Sequence, residues 1–267
     1  LNVPIPRTWH VDNPARPGFD PGKLPYPAIL KPGTSWLLQS GQWFRASVRI
    51  AQNPEEVDEI LQNDPAFQTH PYMIQEYVPG QGQGVFALYN KGAPITFFAH
   101  KRLREKPPSG GVSVLSESTT VDPELMTHAR RLLDNAGWHG VAMVEFKVST
   151  NGTPYLMEIN TRFWGSLQLA VDAGVDFPWL LYQIACGEKP DSISDYKKGR
   201  RLRWLLGDLD NLYLTLRGER YSFKTKLIAI GNFLKPAPFR TRHEVNRWED
   251  PGPAWHELKT YVRDILG

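Results

Sequence analysis

The chain has 267 residues, 41% of them apolar and 22% charged, which is the make-up of an ordinary globular protein long enough for two lobes. No apolar run approaches the roughly 20 residues of a membrane-spanning helix, and no signal-peptide pattern opens the sequence. The single cysteine, Cys186, excludes an internal disulfide framework and fits a cytoplasmic setting, and a net charge of +3 is too small to imply a nucleic-acid partner by itself.

In chain order, residues 1–25 are rich in proline and turn formers and read as an extended lead-in. The opening Leu1-Asn2-Val3-Pro4-Ile5-Pro6 looks like a connection from a missing upstream domain. Tyr26 to Lys31 reads as a short buried strand ending in a lysine, followed by a Pro32-Gly33-Thr34-Ser35 loop. Trp43 to Ile50 alternates as a strand. Asn53-Pro54-Glu55-Glu56 then supplies a cap, a proline at the first helical position and first-turn acids, with Val57, Ile60 and Leu61 as the apolar face. Tyr72 to Val78 is a second buried strand. Gly80, Gly82 and Gly84 are expected to form a flexible loop before a strand at Val85 to Tyr89, and Asn90-Lys91-Gly92 turns into a strand from Pro94 to Leu103.

Pro107 to Gly111, with Ser109 at its centre, reads as a loop before the alternating stretch Val112 to Ser118. Asp122-Pro123-Glu124 opens the clearest helix, with Leu125, Met126, Ala129, Leu132, Leu133 and Ala136 on one face and Gly137 at its end. Val141 to Val148 and Pro154 to Asn160 read as a hairpin about Asn151-Gly152. A helical region from Ser166 to Cys186 is interrupted near Gly174 and Pro178, and Cys186 is expected to be buried and inert. Residues 190–267 are mixed, closing in a helix from about Pro253. His128 and His139 read as packing residues.

Chemistry concentrates on the hairpin. Alternation puts Leu156, Glu158 and Asn160 on one side of their strand, and closure of the hairpin can bring Glu145 beside them. Two carboxylates and an amide packed together repel unless a cation lies between them, and oxygen-only ligands suit Mg²⁺. Arg162, two residues on, can hold a phosphate or carboxylate bidentately. The alternative for these residues is the solvated face of a two-stranded ribbon. In His100-Lys101-Arg102-Leu103-Arg104-Glu105, alternation sends Arg102 and Arg104 to one face; Arg102 is the first candidate for a γ-phosphate or acyl-phosphate contact, against an exposed cationic ribbon.

Glu158-Ile159-Asn160-Thr161-Arg162, with Glu145 thirteen residues before Glu158, resembles the metal-binding strand pair of the ATP-grasp superfamily of carboxylate–amine ligases. The likeness runs in order over residues 1–190. It implies an α+β fold of two lobes with antiparallel sheets clamping ATP: a small lobe over 26–92, a large lobe over 93–190, and a 191–267 extension packed on the large lobe. Lys31 resembles the lysine that contacts ATP phosphates, Gln75-Glu76-Tyr77-Val78 the adenine hinge, and Gly165-Ser166 the turn closing the phosphate region. Gln83 stands where relatives often carry a ribose-binding acid.

The resemblance also implies Mg²⁺ (or Mn²⁺) held by Glu145, Glu158 and Asn160, with Arg102 and Arg162 at the transferred phosphate. The activity implied is ATP-dependent activation of a small-molecule carboxylate as an acyl-phosphate, taken up by an amine or thiol. Alternatives are an ATP-binding or regulatory module without ligation, and nucleic-acid binding through Arg200, Arg201, Arg203, Arg217, Arg220, Arg240 and Arg242.

Overall fold

A computed structural model describes residues 1–39, 41–108, 110–219, 221–235 and 240–266; Ser109 and Arg220, which the sequence places in a loop and a basic stretch, lie outside them, as does Gly267. The chain divides into two compact units, a smaller one of residues 2–81 and 147–157 and a larger one of residues 1, 82–146 and 158–267.

The smaller unit contains β1 (Thr8–Val11), β2 (Ala28–Pro32), β3 (Trp36–Gln39), β4 (Gln42–Arg45), β5 (Arg49–Ala51), α1 (Pro54–Asn63), α2 (Pro65–Gln68) and β6 (Tyr72–Glu76). Its sheet runs β1-β6-β2-β5, antiparallel throughout, with β3 and β4 as a separate hairpin. The single strand expected over 43–50 is therefore two. Gln42–Arg45 pairs with β3 while Arg49–Ala51 pairs with β2, so residues 46–48 cross between partners. α1 starts where its cap demands: the Asn53 side chain accepts from Glu56 N at 2.9 Å, and the Glu56 carboxylate takes the Gln52 N–H in return. Leu30, Ile74, Val57 and Phe67 are fully buried against one another's sheet and helix, each stabilising by about 1.5–3 kcal/mol.

The larger unit is built on a seven-stranded sheet in the order β11-β10-β7-β8-β9-β12-β13. Its elements are β7 (Gly80–Asn90), β8 (Ala93–Lys106), β9 (Val112–Thr119), α3 (Pro123–Asn135), β10 (Gly140–Ser149), β11 (Pro154–Asn160), α4 (Leu167–Ala173), α5 (Phe177–Ala185), β12 (Arg201–Arg203), α6 (Leu205–Arg217), α7 (Phe223–Leu234), β13 (Thr241–His243) and α8 (Gly252–Leu266). The β7 start and the outer half of the β10–β11 hairpin fall in the smaller unit. Phe86, Phe98, Trp164, Leu169 and Phe177 form the core, with Trp164 4.3 Å from Phe86 and 5.1 Å from Phe177 between ring centroids.

Several sequence expectations need correction. Gly80, Gly82 and Gly84 lie inside β7 rather than in a loop. They serve close approach: a Cβ at Gly80 would run into the Val148 carbonyl, and one at Gly84 would stand 3.1 Å from the Phe86 ring. The break expected near Gly174 and Pro178 is present: Gly174, with a φ of 107°, ends α4, and Pro178 sits in the first turn of α5, capped by Asp176. Cys186 is exposed, because it caps the end of α5 instead of lying within its buried face.

Arg102 and Arg104 do not share a face. The β8–β9 register shifts between them, pairing Arg102 with Ser116 but Arg104 with Leu115, and this bulge turns Arg104 to the opposite side. There Arg104 and Arg203 both close on Asp208, which is 1% exposed, at 2.5–2.6 Å.

Residues 191–267 add two helices that no sequence pattern announced, α6 and α7. β12 extends the sheet antiparallel to β9, and β13 follows parallel to β12. No described helix is long and apolar enough to cross a membrane.

Candidate functional site

A cleft of ≈ 460 Å³ opens in the larger unit, and it gathers the hairpin residues with those of β8. β10 contributes Glu145, β11 contributes Glu158 and Asn160, and the turn that follows contributes Arg162, Trp164, Gly165 and Ser166. His100 and Arg102 come from β8, two residues apart on the side opposite Lys101 and Glu117. Glu145, Glu158, Asn160, Arg102 and Arg162 thus meet in one place.

The Arg102 guanidinium reaches Glu145 at 2.8 Å and Glu105 at 3.1 Å. Asn160 Nδ2 donates to Glu158 Oε1 at 2.7 Å, and Arg162 Nη1 donates to the Phe163 carbonyl at 3.0 Å. Burial pushes the Glu145 carboxyl above its ordinary value; Arg102 pulls it back, and the neighbouring Glu158 charge adds to the rise. A carboxylate under that strain gains most from an added cation.

The donor set of two carboxylates and an amide oxygen fits a hard divalent ion completed by phosphate oxygens and water. No group of three or more His, Cys, Asp or Glu suited to a metal occurs among the described residues, and the third donor here is the Asn160 amide.

His100 forms the floor of the cleft. Its ring stacks on Phe86 with centroids 4.7 Å apart, and Nε2 lies 2.7 Å from the Ser166 hydroxyl. Burial, followed by the Arg102 charge, lowers its pKa to about 3, so the ring is neutral. A neutral imidazole can hold Ser166, and through it the Gly165–Ser166 turn, without adding positive charge.

The remaining sequence candidates sit elsewhere. Gln83 in β7 pairs with Lys101, in the row that carries Glu117, and is not among the cleft residues. In the smaller unit, Lys31 lies in β2 opposite Met73. Gln75 is buried and donates to the Thr8 hydroxyl at 3.0 Å. Burial would raise the Glu76 carboxyl, but two hydrogen bonds and the charge of Arg7, 2.8 Å away, outweigh it and hold it low. The backbone N–H groups of Glu76 and Tyr77 donate to the carbonyls of Arg7 and Pro27. Tyr77 is exposed with Lys147 over its ring, and Val78 is buried.

Four cleft residues come from the C-terminal stretch, where the sequence showed no chemical pattern: Trp204, Glu244, Val245 and Glu257. Trp204 was readable only as a packing aromatic. Glu244 follows β13, which is placed by pairing with β12 rather than by any local signal, and Glu257 lies on α8. Three arginines of the same stretch pair with acids, Arg201 with Glu117, Arg203 with Asp208 and Arg242 with Asp172.

Residues 68–207, just over half of the chain, match the family described as ATP-grasp in the biosynthetic pathway with Ter operon. The chain belongs to that family. No curated protein matches it. Among solved structures, it is similar to N5-carboxyaminoimidazole synthetase from Staphylococcus aureus (14% identity, TM-score 0.54), over 74% of this chain and 50% of that one. It is also similar to the biotin carboxylase domain of Hydrogenobacter thermophilus 2-oxoglutarate carboxylase, solved with MgADP, ADP and bicarbonate (17%, 0.54; 74% and 46%). A third likeness is to L-amino acid ligase from Bacillus licheniformis (18%, 0.51; 75% and 48%). These likenesses establish an α+β ATP-grasp fold, and the chain spans about half the length of these structures.

Proposed function

We propose that this ATP-grasp chain is the nucleotide- and metal-binding catalytic part of an ATP-dependent ligase that activates a carboxylate as an acyl-phosphate for an amine or thiol acceptor. The observation that carries the reading is the convergence of Glu145, Glu158, Asn160, Arg102 and Arg162 on one cleft. Glu145, Glu158 and Asn160 would hold Mg²⁺, which supplies charge neutralisation on the nucleotide phosphates when bound. The relatives named above, one of them crystallised with MgADP, support that assignment.

The chain's own groups do the rest by position. Arg162 has a face open to the cleft for an oxyanion, and Arg102, held by Glu145 and Glu105, is placed to take charge that develops on a transferred phosphoryl group. Neutral His100 fixes Ser166. In the smaller unit, Lys31 is assigned to phosphate and residues 75–78 to adenine, on the family pattern; Gln83 is assigned to ribose on the same ground. The N–H groups of Glu76 and Tyr77 are already engaged, so recognition through those two would replace existing bonds.

The test is acceptor-dependent phosphate release from MgATP, screened over carboxylate and amine pairs. Glu158→Gln is expected to lower turnover at least a hundredfold with the fold retained, on the order of the 3 kcal/mol that one preorganised electrostatic contact supplies. Near-normal turnover in that variant would defeat the metal assignment. Nucleotide binding without acceptor-dependent release under any pair would favour a binding module instead.

A further inference from the structure

The cleft has two chemically distinct sides. Glu145, Glu158, Asn160 and the two arginines form one; Trp204, Glu244 and Glu257 form another. Glu257 is oriented by the Trp204 indole, whose Nε1 donates to its Oε1 at 2.5 Å. Glu244 is fixed at the backbone, where its N–H extends the β12–β13 ladder to the Arg203 carbonyl at 3.0 Å. Among the described residues no hydrogen bond or ion pair closes on the Glu244 carboxylate, and the charges acting on it are Glu257 and Arg247.

Two further observations call for a ligand. Trp164, 6% exposed, lines the same cleft with an indole N–H that has no acceptor among the described residues, which marks a place for an oxygen of the acyl partner beside the amine. Beyond Glu257 lies an apolar groove of ≈ 670 Å³ lined by Leu205, Leu206, Ala254, Trp255 and Leu258, and Glu257 borders both cavities. Anionic groups meeting an apolar channel are complementary to a cation carried on a hydrocarbon.

We propose that the acceptor is an amine with an apolar body, its ammonium held by Glu244 and Glu257 and its hydrocarbon by the groove of Leu205, Leu206, Trp255 and Leu258. This rests on the ligase reading and adds the acceptor's class to it. Burial, then the Glu257 charge, push the Glu244 carboxyl up to about 7 against the pull of Arg247, which suits it to accept a proton from the bound ammonium. The step balances: R–NH₃⁺ gives one proton to the Glu244 carboxylate and becomes R–NH₂. The nitrogen lone pair forms the C–N bond as the acyl C–O bond breaks, and the second proton leaves with phosphate as HPO₄²⁻.

Hexylamine is the probe, titrated calorimetrically into the full chain beside hexan-1-ol and ethanolamine, with Mg-AMPPNP binding measured separately. Hexylamine is expected to bind at least about tenfold more tightly than either control, the margin of one charge-assisted contact or of the buried hydrocarbon. Glu244→Gln/Glu257→Gln should remove about tenfold of hexylamine affinity with hexan-1-ol unchanged, and Leu258→Asn should weaken both. Equal binding of hexylamine and hexan-1-ol, undiminished binding by the double variant, or no hexylamine binding at all overturns the inference. Mg-AMPPNP and hexylamine binding without acceptor-dependent phosphate release from MgATP under any carboxylate and amine pair would instead overturn the ligase reading, so the two failures are separable.

Discussion

Arg102 and Glu145 form the contact on which the cleft depends, and a double-mutant cycle measures it. Their side chains are 22% and 18% exposed and meet at 2.8 Å. At an effective dielectric near 20, unit charges 4 Å apart attract by about 4 kcal/mol before desolvation is counted. Breaking a fully buried pair costs about 3–5 kcal/mol, and the residual exposure here reduces that to about 2 kcal/mol for Arg102→Met. That variant leaves Glu145 facing Glu158 without its cation, in a site where burial already disfavours the charged carboxylate. Glu145→Gln leaves Arg102 with Glu105 and should cost only about 1 kcal/mol. Once residue 145 is neutral, removing the guanidinium strands only the Glu105 carboxylate. The double variant should therefore be more stable than Arg102→Met alone, with a coupling of about 1–1.5 kcal/mol. Equilibrium urea denaturation at pH 7.5, followed by near-ultraviolet circular dichroism, gives all three values. Losses that add to within about 0.5 kcal/mol would refute the coupling.

Asp208, fully buried between Arg104 and Arg203, should be intolerant of neutralisation: Asp208→Asn is expected to lose about 3–5 kcal/mol in the same assay. His100 makes stability sensitive to acid. Its folded pKa lies near 3, below the ordinary 6.5, so above pH 6.5 it is neutral in both states and below that only the unfolded chain takes the proton. Wild type should lose about 2 kcal/mol more than His100→Gln between pH 7.5 and 5, measured by urea midpoints; parallel loss in both would contradict the burial of a neutral ring. Gly80→Ala drives a methyl into the Val148 carbonyl and should cost about 2 kcal/mol or more, whereas Gly165→Ala, with open space around its Cβ position, should cost under about 1 kcal/mol.

The hairpin carrying Glu145, Glu158 and Asn160 was legible because local rules sufficed. Period-two alternation fixed the faces, Asn151-Gly152 fixed the turn, and Gly152 takes a φ of 90° there. The caps at Asn53 and Asp122 marked α1 and α3 for the same reason. Alternation failed where a tertiary feature intervened. The bulge beside Leu103 sends Arg104 to Asp208 instead of to the cleft, and no residue type at 102–104 announces it. The glycines of 80–84 signalled freedom of the backbone, but that freedom is used for close approach inside a strand.

The acidic side of the cleft was illegible for a deeper reason. Glu244 and Glu257 stand 99 and 112 residues beyond Glu145 in sequence, by subtraction of their numbers, and nothing periodic links them to it. Three-residue strands supply the link. Arg201, Leu202 and Arg203 pair with β9, and Thr241, Arg242 and His243 pair with β12, so the sheet that displays Arg102 on β8 also delivers Glu244 two strands past β9. Strands this short carry too few residues for alternation to be recognised, and ion pairs of Arg201 with Glu117 and of Arg203 with Asp208 tie β12 to β9 and to α6. Weakening either pair should therefore disturb the acidic side before the hairpin side. Arg201→Met, which releases Glu117 to Lys101 alone, offers the gentler perturbation: it should impair hexylamine binding while Mg-AMPPNP binding persists, and equal loss of both would mean that the cleft is one rigid body rather than a phosphate half with a separately anchored acceptor half.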